Sequence, residues 1–225
     1  QVPDTWSERK LTSGDWTLDR DAADAVLDEI NERAVEEALL IKEREGGEST
    51  VTVLTAGPER ATEAIRKALS MGADKGVHLL DARLHGSDMV QTGWALARAL
   101  GAIDPADLVI AGNEATDGTG GAVPAIIAEY LGLPQLTHLR KLSVEGGKVS
   151  GERETDDGVL SVEATLPAVV SVNEKLNEPR FPSFKGIMAA KKKEVLTLSL
   201  ADIGVEADEV GLANAGSTVL TATPK

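Results

Sequence analysis

The sequence predicts a doubly wound α/β domain, a parallel sheet covered by helices on both faces, with an added region of β-hairpins. Continuous apolar runs rich in Val, Ile and Leu alternate with helical patterns of about four turns, as buried parallel strands and their right-handed crossover helices require. Beyond Pro134 the pattern changes to short alternating runs punctuated by Gly146-Gly147 and Asp157-Gly158, the turn chemistry of antiparallel hairpins.

Each element follows from its local pattern. From residue 22 to about residue 45 apolar side chains recur at Val26, Leu27, Ile30, Ala34, Val35, Ala38, Leu39 and Ile41, an amphipathic helix with a possible break near Asn31. A β-branched run, residues 50–54, is followed by Gly57-Pro58 and a helix through Ala61, Ile65 and Leu69 that stops at Gly72. Residues 77–80 repeat the strand, Ser87 or Asp88 caps a helix reaching Leu100, and residues 107–111 form another buried strand, followed by a helix over residues 122–131. A meander over residues 139–166 leads into the apolar strand at residues 167–172. Residues 173–190 hold Pro179, Pro182 and Gly186 and read as a loop with one helical turn, before a last strand at residues 195–200.

Composition narrows the function. The 225 residues carry a net charge of −14, which repels phosphodiester backbones and anionic lipid and argues against nucleic-acid binding. With 42% hydrophobic but only 3% aromatic residues the chain is globular with an aliphatic core. The absence of cysteine removes disulfides, thiol nucleophiles and cysteine-bound metals, and is compatible with a reducing cytoplasm. No apolar run approaches the roughly 20 residues that span a bilayer, so no stable membrane insertion is expected.

In such folds ligands bind beyond the carboxyl ends of the strands, which directs attention to the loops after Leu54 and Ala111. The second is Gly112-Asn113-Glu114-Ala115-Thr116-Asp117-Gly118-Thr119-Gly120-Gly121-Ala122-Val123, running from a buried strand into a helix. Its glycines allow close backbone approach, and free amides with the positive end of the helix dipole favour a phosphate. It matches neither G-x-x-x-x-G-K-[ST] nor G-x-G-x-x-G, so a phosphate or nucleotide site stands evenly against a plain flexible connection. His78, His85 and His138 lack metal-ligand spacing or an evident carboxylate partner, and no metal site is expected. No G-x-S-x-G elbow or acid–base carboxylate pair is present. Lys191-Lys192-Lys193 is a basic run in an acidic chain that reads as a solvated face before a site for an acidic partner, and Glu36-Glu37 reads as ordinary helix surface. Phe181 and Phe184, both phenylalanines of the chain, lie between prolines in an irregular segment. They are either an anchor for a partner protein or inward pins of the loop, evenly weighed.

Taken together, Asp28-Glu29-Ile30-Asn31-Glu32-Arg33-Ala34-Val35-Glu36-Glu37-Ala38, Ala68-Leu69-Ser70-Met71-Gly72-Ala73-Asp74-Lys75-Gly76, the Gly112 loop, Leu166-Pro167-Ala168-Val169-Val170, Leu176-Asn177-Glu178-Pro179-Arg180 and Ile187-Met188-Ala189-Ala190-Lys191-Lys192-Lys193 resemble the beta subunit of electron transfer flavoprotein, also called FixA in bacteria. The resemblance spans nearly the whole chain. It implies a Rossmann-like fold of the adenine nucleotide alpha hydrolase-like kind in a single domain: residues 1–135 a nucleotide-binding core, residues 136–200 the hairpins, recognition loop and last strand, residues 201–225 the start of a carboxyl-terminal arm. It further implies a bacterial cytoplasmic heterodimer with an alpha subunit, an FAD shared with that subunit, and an AMP bound here. Electrons would pass from acyl-CoA and related dehydrogenases to a quinone oxidoreductase, without bond-making catalysis by this chain.

Carried over by position, the nucleotide contacts are Asp28, Glu29, Ile30, Asn31, Ala56 and residues 112–123. Partner contacts are Glu154, matching a glutamate that holds the mobile flavin domain, and Pro179, Arg180, Phe184, Ile187 and Met188 of the recognition loop. The family's usual anchor there is a leucine; here it is Phe184. The family also opens with a central strand ahead of the segment matching Gln1, so a trimmed chain is expected, cut short at Lys225 as well. Thr5 or Trp6 stands where many members place a tyrosine near the flavin. Two alternatives remain: a second FAD in place of AMP in an electron-bifurcating complex that oxidises NADH, and a stand-alone ATP-binding stress-type module.

Overall fold

The computed structural model describes residues 1–4 and 10–223; Thr5 and Trp6 lie outside the described residues. The first long helix, α1 (Glu29–Arg44), begins seven residues later than its apolar pattern suggested. Asp28 is its N-cap and accepts from the amides of Ile30 and Asn31, satisfying donors that have no intrahelical partner. The chain just before is extended, and β1 (Val2–Pro3) pairs antiparallel with β2 (Ala25–Val26). The helix is unbroken at Asn31 because that side chain bonds outward, to Gly112, rather than to its own backbone.

The strand–helix alternation follows: β3 (Thr52–Ala56), α2 (Thr62–Met71), β4 (Lys75–Leu79), α3 (Met89–Gly101), β5 (Leu108–Gly112) and α4 (Val123–Leu131). Asp88, not Ser87, caps α3, in a reciprocal box with Gln91. The meander is β6 (Gln135–Glu145), β7 (Lys148–Thr155) and β8 (Gly158–Thr165), then β9 (Ala168–Val172), α5 (Phe184–Ala190) and β10 (Val195–Leu198). Ser183 caps α5 through the Gly186 amide and gives it seven residues where a single turn was expected.

Helices and parallel strands make the expected doubly wound, Rossmann-like arrangement, but the sheet is divided. One sheet has the order β10-β4-β3, all parallel; the other runs β5-β9-β6-β7-β8, parallel through β6 and antiparallel in the meander. The division falls at β3 and β5, the two strands whose loops were expected to flank a ligand. Helix α1 bridges it. Ala34 packs with Leu136, Leu139 and Val170 under the five-stranded sheet, and Leu39 packs with Ile65, Leu69 and Ala190 beside the other. Leu139, Val149, Val170 and Val172 are fully buried, each stabilising by about 1.5–3 kcal/mol relative to an exposed side chain.

Candidate functional site

The Gly112 loop is fastened from below by the start of α1. Asp28, 2% exposed, spends one carboxylate oxygen on the cap and the Asn31 side-chain amide; the other accepts from the backbone N–H and hydroxyl of Thr116, both at 2.8 Å. Asn31 Oδ1 accepts from Gly112 N at 3.0 Å. Of the predicted nucleotide residues, then, Asp28 and Asn31 act as struts under the loop, with every oxygen they turn toward it already engaged. Ile30 is buried behind Gly112, and Glu29 is exposed in the first turn, with no hydrogen bond to the loop among the described residues. Ala56 ends β3 in the other sheet, with no hydrogen bond to the loop.

The far end of the loop turns into α4. Thr119 and Gly121 have φ of +48° and +67°, left-handed values that turn the chain into α4, and Gly121 meets this without a Cβ penalty. The amides of Gly120, Gly121 and Ala122 make no hydrogen bond with a described residue, and α4 has no side-chain cap. Pro124, in the first turn, lacks an amide to satisfy. The result is a helix N-terminus whose first amides have no hydrogen-bond partner among the described residues, with Met89 Sδ packed at Gly120 and a Glu114 carboxylate oxygen near Gly121. Asp117 is turned aside by its own bond to Gly118 N and a 3.6 Å ion pair with Arg20, which reduces the repulsion an anion would meet.

A second feature, missed by sequence reasoning, adjoins the loop. Asn113 Nδ2 donates to Nδ1 of His138 at 3.1 Å, and His138 N donates to the buried Ser171 Oγ at 2.9 Å. His138 has φ +58° at the register shift of β6, a strained conformation held by these bonds. It stands on the wall of an open cleft of about 560 Å³ with Arg153, Glu154, Asn173 and Lys175. Glu154 is already paired within the chain, to Lys175 at 2.7 Å and Arg140 at 3.8 Å; the Lys175 contact holds its carboxyl below the usual range. The only hint in the sequence was the histidine at a strand beginning.

The segment around Phe184 corrects two expectations. Glu36 and Glu37 are not helix surface: each is 4% exposed, because this face of α1 receives residues 177–180. Arg180 donates to both oxygens of Glu36, at 2.8 and 2.9 Å, and to Glu43 at 2.5 Å, and Asn177 reaches Glu37 and the Arg33 carbonyl. Arg180 therefore faces inward as a pin. Nor are the three lysines equivalent: Lys193 caps the carbonyls of Leu69 and Ala73 at the end of α2, while Lys191 and Lys192 are exposed. Phe181 is 94% and Phe184 80% exposed, with Ile187 and Met188 close to half exposed, so of the two readings the one with both rings turned inward is excluded. His85, expected without a carboxylate partner, bonds Asp15 Oδ2 at 2.7 Å.

Fold and loops together define an α/β protein of the Rossmann-like class, with a clamped glycine loop opening onto a helix N-terminus. Residues 15–203 match the electron transfer flavoprotein domain. The chain is 81% identical over 228 residues to the electron transfer flavoprotein subunit beta of Mycobacterium tuberculosis, covering all of this chain and 86% of that one. It is 35% identical to the same subunit of Megasphaera elsdenii, covering 97% and 83%, and 35% identical to subunit CarD of the caffeyl-CoA reductase-Etf complex of Acetobacterium woodii, covering 97% and 82%. The chain belongs to the electron transfer flavoprotein family, and its role is that of an electron transfer flavoprotein beta subunit. No helix among the described residues is long and apolar enough to cross a membrane.

Proposed function

We propose that this chain forms a one-to-one heterodimer with an alpha subunit and carries electrons from acyl-CoA and related dehydrogenases toward a quinone oxidoreductase in the bacterial cytoplasm. FAD, held between the two subunits, supplies the redox chemistry. The chain's own residues bind a structural AMP and present a docking loop; none makes or breaks a bond in a substrate.

The observation that carries the nucleotide reading is the set of unengaged amides at Gly120, Gly121 and Ala122 ahead of the uncapped α4, on a loop that Asp28 and Asn31 hold in place. Unpartnered donors at a helix N-terminus suit the phosphate of AMP. The hydroxyl of Thr119 and the turn at Gly121 lie beside them. Because Asp28 has no oxygen left for a ligand, its part is to fix the loop rather than to touch the nucleotide. The docking reading is supported by the exposed Phe184, Ile187 and Met188 on a segment fastened by Arg180.

The test is co-expression with the flavin-binding subunit. A yellow one-to-one complex that releases AMP on heating, identified by mass spectrometry, is the expected result. A colourless, unpartnered chain refutes the proposal, and release of FAD from this subunit replaces AMP by a second flavin.

A further inference from the structure

His78, 1% exposed, lies on β4, the middle strand of the three-stranded sheet, opposite Thr55 of β3 and Thr197 of β10. A buried imidazole needs partners for both ring nitrogens, and here they come from the two ends of one turn. Nε2 stands 3.0 Å from the Gly57 carbonyl oxygen and Nδ1 3.1 Å from the Thr62 hydroxyl. A carbonyl only accepts, so Nε2 carries the proton, and in the neutral ring the Thr62 hydroxyl donates to Nδ1.

Gly57 directly follows β3 and Thr62 opens α2, so one side chain from the neighbouring strand ties both ends of the turn after β3. The turn is tight. Gly57 N donates to Leu79 O at 3.2 Å, and a Cβ on Gly57 would stand 3.1 Å from that of Ala61, whose amide donates to Pro58 O inside the turn. A buried strand position in an aliphatic core calls for Val or Leu, as at Val77 and Leu79 on either side. A histidine there carries a desolvation cost that its two hydrogen bonds offset.

The turn after β3 and the glycine loop after β5 flank the division between the two sheets. Polar contacts connect them: Arg60, inside the turn, donates to the Arg20 carbonyl at 2.9 Å, and the Arg20 guanidinium lies 3.6 Å from Asp117 of the glycine loop. Each side is held from behind by a buried polar side chain whose polar atoms are engaged, Asp28 at the glycine loop and His78 at the turn. Resting on the nucleotide reading above, we propose that His78 is a positioning residue for the adenine nucleotide. It touches no ligand; it acts through the Gly57 turn, fixing that side of the site as Asp28 fixes the other.

The experiment titrates AMP into the flavin-loaded heterodimer after its nucleotide has been dialysed away, with melting temperature and flavin content read on the same samples. His78→Leu, similar in size, removes both bonds and is expected to weaken AMP binding by roughly tenfold while FAD stays bound. His78→Gln, whose amide N–H takes the place of Nε2–H, is expected to recover most of that affinity. Thr62→Val removes only the bond to Nδ1 and is expected to weaken AMP by roughly threefold. A His78→Leu protein that melts lower yet binds AMP as the parent does overturns the inference, because the histidine then serves the core alone. Equal weakening in His78→Leu and His78→Gln also overturns it, since the bond to Gly57 is then not what sets the affinity. Where the leucine variant does not fold, Thr62→Val decides, and parent-like AMP affinity overturns the inference. A parent heterodimer that takes up no AMP refutes the nucleotide reading itself, and this inference with it.

Discussion

Replacing Asp28 by Asn isolates the strut beneath the glycine loop from the helix cap. Asn caps a helix about as well as Asp, so its Oδ1 keeps the amides of Ile30 and Asn31 and the cap contribution changes by near zero. On the other side an NH2 group faces the Thr116 amide, two donors opposed where a carboxylate accepted two bonds at 2.8 Å. Loss of a hydrogen bond to a buried charged acceptor costs about 1.5–3 kcal/mol. At about 2–4 °C per kcal/mol for a domain of this size, the melting temperature falls by roughly 3–12 °C. Asp28→Ala loses the cap as well, about a further 1 kcal/mol. The assay is thermal unfolding of the purified heterodimer followed by circular dichroism, with nucleotide content measured on the same samples. An Asp28→Asn protein that melts with the parent and retains its full complement of AMP would falsify the account of Asp28 as the part that fixes the loop.

Asp81 accepts from Arg83 and from Leu200 N, and the Arg83 hydrogen bond is the largest influence holding its pKa below the ordinary 3.8. A depressed carboxyl contributes stability above 3.8 and loses it as pH falls through the folded value. Asp81→Asn should therefore unfold at lower urea than the parent at neutral pH, with the gap narrowing in acid; a gap independent of pH argues against the linkage. Lys193→Met removes the cap on the Leu69 and Ala73 carbonyls, at a cost of about 1–2 kcal/mol, read as faster amide exchange in the last turn of α2. Stripping AMP from the heterodimer should lower its melting temperature while leaving its KM for a dehydrogenase unchanged.

Elements whose own residues contain the cause of their shape were readable from the chain. The apolar periods of α2 and α3, the Asp88 cap and the turns at Gly146-Gly147 and Asp157-Gly158 each depend on contacts within a few residues, and the structure places them within a residue or two. What failed depended on distant partners. Glu36 looks like helix surface because its partner, Arg180, lies 144 residues away. The start of α1 was misplaced because the apolar Val26 and Leu27 continue the helical period, although the carboxylate at Asp28 ends it from the amino side. His138 gave no sign of its left-handed backbone, since the bulge arises from pairing β6 with both β9 and β7. In the site, the glycine-rich turn between β5 and α4 was legible from the chain, but the use of Asp28 and Asn31 as its supports was not.

One helix fastens both the glycine loop and the segment before α5. Asp28 and Asn31 hold the glycine loop at the start of α1, and Glu36, Glu37 and Glu43 hold residues 177–180 further along it. Asp28 to Glu36 spans about 12 Å of helix axis at 1.5 Å per residue. Such proximity suggests communication, but coupling requires an element with two arrangements that each site biases differently. Helix α1 shows a single arrangement: it is continuous, its core side chains Ile30, Ala34 and Leu39 are buried, and Arg180 engages two carboxylates at once. A nucleotide bound to the loop would then stabilise the folded state by mass action without altering how the rings at Phe181 and Phe184 are presented. This is why AMP removal is expected to change the melting temperature alone. A rise in KM for the dehydrogenase in stripped but still folded heterodimer would show that α1, or the loop it carries, has a second arrangement.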